Sequence, residues 1–191
     1  MKHFTNLLIL GFITFALILS VNFTTAEAAY LTNTTNKWID SAHTASTQFL
    51  EGTQVNLRED GSVSSGTIAN LSVFWISRDH NESATFKEGT VVNFREDGSV
   101  SSGILANNTD LYINSDHSAK ALFKAITVAN SRDDGCVSSA TLAEITALWI
   151  NTSHSASTAF KREKVVNFRE DGSVSSGFLA QDTYFWTNKL H

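Results

Sequence analysis

Asn56-Leu57-Arg58-Glu59-Asp60-Gly61-Ser62-Val63-Ser64-Ser65-Gly66 returns as Asn93–Gly103 and as Asn167–Gly177, with a divergent copy at Asn130–Ala140. Gly61, Gly98, Gly135 and Gly172 are each 37 residues apart. Trp38, Trp75, Tyr112, Trp149 and Trp186 keep the same period, as do His43, His80, His117, His154 and His191. Self-similarity at a fixed period marks a repeat architecture, in which each unit buries its apolar face against the next.

Within one unit the residue types read as strand. Phe74-Trp75-Ile76 is aromatic and β-branched, Ser77–Ser83 is a polar loop, and Ala84-Thr85-Phe86 leads to a Glu88-Gly89 turn. Glu96-Asp97-Gly98 then separates two alternating runs. It suits a three-residue hairpin loop with glycine in the left-handed position, which sets Phe94 opposite Val100 and Val92 opposite Ser102. A short helix through His117–Phe123 is the local alternative. The expected fold is all-β, an open linear array of four 37-residue repeats, built as a β-solenoid or as stacked β-hairpins. A four-bladed β-propeller is the alternative. Tyr30–His43 aligns with Phe178–His191, so the same partial block occurs at both ends, which suits an open stack.

Residues 1–29 read as a secretory signal peptide. Lys2 and His3 precede the apolar run Leu7–Val21, and Ala26-Glu27-Ala28 offers a small-x-small cleavage site. Residues 30–191 then form a single domain, with repeats at about 38–74, 75–111, 112–148 and 149–185 and a partial copy at 186–191. The expected location is secreted or extracytoplasmic, at a cell surface or in a periplasm, with no membrane span once the leader is cleaved. The single cysteine, Cys136, excludes an intramolecular disulfide, and a net charge of −5 gives no basic footprint for nucleic acid.

Three columns are candidates for chemistry. Trp38, Trp75, Tyr112, Trp149 and Trp186 would line one side of an open array as flat platforms for sugar rings, or stack between layers as core. His43, His80, His117, His154 and His191 could form a zinc or copper seam, but each unit lacks a companion ligand at short spacing, so no metal or other cofactor is expected. Arg58, Arg95, Arg132 and Arg169 read as a solvated ladder paired with neighbouring acids. Phe49, Phe86, Phe123 and Phe160 read as core. No nucleophile and base break the repeat symmetry at one place, so the chain is not expected to be an enzyme.

Phe94-Arg95-Glu96-Asp97-Gly98-Ser99-Val100-Ser101-Ser102-Gly103 resembles the hairpin core of secreted bacterial cell-wall-binding repeats of the choline- and glucan-binding type. About ten residues of each unit carry the likeness. The period here is nearly twice as long, and Val91-Val92-Asn93 replaces the tandem aromatics of those repeats. The resemblance implies an exported bacterial adhesive module and transfers no ligand residue. The expected function is non-catalytic binding of a polymer, a cell-envelope or environmental glycan such as cell-wall polysaccharide, through the aromatic column. The alternative is a structural surface protein that self-associates through its end strands.

Overall fold

A computed structural model describes residues 27–181 of the chain. Residues 1–26 of the expected leader, together with Trp186 and His191, lie outside them. The chain opens with β1 (Glu27–Tyr30), β2 (Thr35–Trp38), β3 (Ser46–Phe49), β4 (Gln54–Leu57) and β5 (Val63–Thr67). The last four of these recur as β6 (Ser72–Trp75), β7 (Ser83–Phe86), β8 (Val91–Phe94) and β9 (Val100–Ile104). They recur again as β10 (Thr109–Tyr112), β11 (Lys120–Phe123), β12 (Val128–Ser131) and β13 (Val137–Thr141). The final set is β14 (Thr146–Trp149), β15 (Ser157–Phe160), β16 (Val165–Phe168) and β17 (Val174–Ser176). The described residues contain no helix, and the segment open to helix, His117–Phe123, is a loop running into β11.

Nine strands join in one antiparallel sheet in the order β1-β4-β5-β8-β9-β12-β13-β16-β17. The other eight pair off as four two-stranded hairpins, β2–β3, β6–β7, β10–β11 and β14–β15. Among the described residues, no sheet closes on itself. Radial blades would form separate sheets, whereas here β5 continues directly into β8, β9 into β12 and β13 into β16. Glu27–Ala29, which the sequence reading places in the leader, form the first part of β1, and Ala28 lies opposite Asn56.

Alternation along the strands sends Val55, Val92, Ala129 and Val166 inward. They meet Phe49, Phe86, Phe123 and Phe160 from the small hairpins, all at most 4% exposed. These four phenylalanines, in phase at 37 residues, are core as the sequence suggests. At Phe49, Phe86 and Phe160 the ring leaves no room for a side chain on the neighbouring sheet strand. A Cβ on Gly103 would lie 2.6 Å from the Phe86 ring, and one on Gly66 would lie 2.7 Å from Val55 and 2.8 Å from Phe49.

The Glu-Asp-Gly turn has the expected geometry. Gly98 N–H donates to Arg95 O, Arg95 N–H donates to Ser99 O, and Gly98 sits at φ 82°. Phe94 does lie opposite Val100. A bulge then shifts the register, so that Asn93, not Val92, faces Ser102. The extra residue rephases β9 and brings Gly103, the residue without a Cβ, under the Phe86 ring.

Arg58, Arg95 and Arg132 are not the solvated ladder expected, and only Arg169 of the four is exposed. The Arg95 side chain is only 9% exposed and ion-pairs with Asp133. Its guanidinium donates to Val100 O at 2.6 Å and to Ser131 O at 2.6 Å. Arg58 likewise reaches Val63 O at 2.8 Å and, one unit on, Phe94 O at 2.6 Å. Stacking the units places backbone carbonyls around these guanidinium groups, whose fixed fork of donors can satisfy several at once.

Candidate functional site

Each small hairpin ends its first strand on an aromatic residue and turns through a polar loop. Asp40, Ser77, Asn114 and Asn151 close these loops from inside. Asp40 Oδ1 accepts from Ala45 N–H at 2.9 Å, Ser77 Oγ from Glu82 N–H at 3.0 Å, and Asn114 Oδ1 from Ala119 N–H at 3.0 Å. Burial pushes the Asp40 carboxyl up, but donors from Thr44 and Ala45 outweigh it and hold the group below the usual carboxylate range.

The closed loop puts one residue in the left-handed region, and in all four described loops that residue is histidine. His43, His80, His117 and His154 have φ between 53° and 56°. Such a backbone costs an L-residue about 1–2 kcal/mol relative to glycine. What the side chain gains is a partner. The imidazole stacks on the aromatic five residues earlier, with centroid separations of 5.8 Å for Trp38–His43, 5.8 Å for Trp75–His80, 4.7 Å for Tyr112–His117 and 4.0 Å for Trp149–His154. The aromatic and histidine columns are thus one structure. Their pairing was not legible in the sequence, because a five-residue offset matches no strand period and the contact depends on the loop.

The column is not uniform: Trp38 and Trp75 are exposed, whereas Tyr112 and Trp149 are half-buried. Trp38 is 44% exposed and Trp75 is 45% exposed, while Phe74 and Ile76 point inward beside Trp75. Beside Trp75 lies a cleft of about 240 Å³ between successive hairpins, walled by Ile39, Ser46, Val73 and His80 and floored by Asp97 and Gly98. Asp97 Oδ1 accepts from Ser99, but its Oδ2 is shut from solvent with no donor. A second cleft of about 250 Å³ lies beside His154 and carries Asp116, Glu170 and Asp171. A larger cavity, about 510 Å³, has no aromatic wall; in it Ser115 donates to Asp134 at 2.7 Å, and Arg132 Nε lies 3.8 Å from the same carboxylate without a hydrogen-bond partner.

Among the described residues, no three histidine, cysteine or acidic side chains converge as a metal site would need. Cys136 is buried and donates to Asn114 O at 3.0 Å. Burial, and then the Asp134 charge, push its thiol up to about 12, far from a reactive thiolate.

One regular surface escaped the sequence reading. On the outer face of the long sheet, Asn56, Asn93, Asn130 and Asn167 donate to Ser65, Ser102, Ser139 and Ser176 at 2.6 to 2.7 Å. The period of the Asn and Ser columns was visible. The bulge that brings them face to face was not.

No protein-family model, curated protein or solved structure matches this chain.

Proposed function

We propose that this chain is an exported, non-catalytic bacterial repeat protein, an open linear array of four 37-residue units of stacked β-hairpins, that binds a polymeric glycan through its aromatic column. The observation that carries this reading is the half-exposed state of Trp38 and Trp75 on successive hairpins, each ring fixed by a stacked histidine. A ring held in place offers apolar area to a sugar at little cost in side-chain entropy. Successive units advance by two strands, about 9.5 Å at ordinary strand spacing. That is close to the length of a disaccharide in an extended β-linked chain, so one polymer would meet one ring per disaccharide. Weak contacts in such a series gain avidity when the spacing matches.

Replacing Trp75 and Trp149 with alanine tests this. Because Trp75 stands outside the core, the double variant is expected to keep its fold and to lose at least about tenfold in retention on cell-wall polysaccharide. Undiminished retention by a folded variant sinks the reading. The alternative, a self-assembling surface protein, draws on the outer side of β17. There Gly177 is exposed, whereas the equivalent Gly66 and Gly103 are covered by the next strand.

A further inference from the structure

We infer that the glycan is N-acetylated, and that the cleft beside Trp75 is the seat of one acetamido group. This rests on the glycan reading above and names its chemical class. The cleft measures about 240 Å³ and lies between the β2–β3 and β6–β7 hairpins, with the exposed Trp75 ring in its wall. A sugar stacked on that ring would carry a substituent straight into it. At roughly 30 Å³ per water, the cleft has room for about eight waters. That is enough for a short acyl group and the sugar edge that bears it, and too little for a long acyl chain or a folded partner.

The lining decides the kind of substituent. Ile39, Ala45 and Val73 give the cleft carbon walls. Asp97 adds no open charge, because its Oδ1 accepts from Ser99 N–H at 3.0 Å and from Ser99 Oγ at 2.8 Å, and its Oδ2 is shut from solvent. An ammonium would find no open carboxylate there, and the net charge of −5 repels an anionic polymer. A bare hydroxyl would leave the carbon walls against water. An acetamido group is neutral, presents its methyl to those walls and keeps its amide for two polar side chains of the same lining. These are the Ser46 hydroxyl and the His80 imidazole, neither of which has a hydrogen bond among the described residues.

This cleft also breaks the repetition. One unit on, Glu82 and Asp110 occupy the places of Ala45 and Val73. Charges in those places would exclude a methyl group, so the apolar walls are particular to Trp75 and do not follow from stacking alone. In an extended β-linked chain each sugar is turned half a revolution from the last, so equivalent substituents project to one side once per disaccharide. That matches the advance of one unit, and a polymer can seat one acetamido group here while its rings stay in step with the column.

The test is a titration of tryptophan emission in the purified chain with two oligosaccharides of equal length, β-linked N-acetylglucosamine and β-linked glucose. The acetylated oligomer is expected to bind about tenfold more tightly, the order of discrimination that one small apolar group gives in a fitted pocket. Val73→Asp copies Asp110 into the cleft, and Ser46→Leu fills it; both positions are exposed. Each variant should bring the acetylated oligomer down toward the affinity of the glucose oligomer. Equal binding of the two oligomers by the unaltered chain, or a preference for glucose, overturns the acetamido assignment and leaves the glycan reading standing. Binding of neither overturns both. A preference kept in full by both variants, with native circular dichroism, removes the cleft from the ligand site and overturns the proposal. If one variant fails to fold, the other decides.

Discussion

Single polar residues in this chain carry structural roles that their residue types do not advertise. Arg58 and Arg95 use guanidinium donors to tie the carbonyls of adjacent units together, a role hidden from the sequence because the acceptors are backbone atoms 36 residues further on. Asp40 is the clearest case for a pH experiment. Its folded-state carboxyl is held below its ordinary value, so its contribution to stability is present above the unfolded value of about 3.9 and is lost as pH falls through the folded one. Asp60 and Asp171, held low by hydrogen bonds from Ser62 and Ser173, act in the same direction. The melting temperature should therefore fall on acidification below about pH 4. Asp40→Asn should make that fall shallower by removing the carboxylate's contribution at neutral pH, while the loop still closes, since Asn114 closes the equivalent loop with the same acceptor geometry. An unchanged acid profile in the variant would show that the Asp40 carboxylate is not a source of the lability.

Among the elements, the sheet hairpin was the most legible and its bulge the least. Glycine after Asp at a fixed period dictates the turn, and Phe94 opposite Val100 follows from it. The register beyond the turn depends on how closely the small hairpins approach, and no local pattern records that distance. Packing also explains a substitution that reads as decay in the sequence. Val55 lies opposite Gly66, and a Cβ on Gly66 would come within 2.7 Å of Val55. In the divergent third copy the same pair is Ala129 with Ala140, both buried: the smaller residue on one strand makes room for the larger on the other. Gly66→Ala alone should cost about 1–3 kcal/mol through overpacking. Adding Val55→Ala should return part of it, giving a coupling of at least about 0.5 kcal/mol in a denaturant double-mutant cycle. Strict additivity would mean that the two positions do not compensate.

For the whole molecule, the period of 37 residues and the strand-like residue types within it indicate an all-β array, and the structure places nine described strands in one open sheet and eight in four separate two-stranded hairpins. The same repetition left the aromatic column undecided between core and surface, because a ring on the far side of a strand is buried or exposed according to what the next unit covers. Trp75 is exposed because its neighbours are a cleft and a histidine loop instead of a second sheet. Repetition also spreads any binding site over several equivalent rings, so single substitutions are expected to weaken a polymer complex by steps.

Glycan binding by the exposed column is tested most directly by the tryptophan emission of the intact chain during titration with soluble cell-wall polysaccharide. The account predicts long-wavelength, quenchable emission that shifts saturably with the polymer, and loss of most of that shift in the Trp75→Ala/Trp149→Ala variant. Short-wavelength emission that neither quencher nor polymer changes would contradict it.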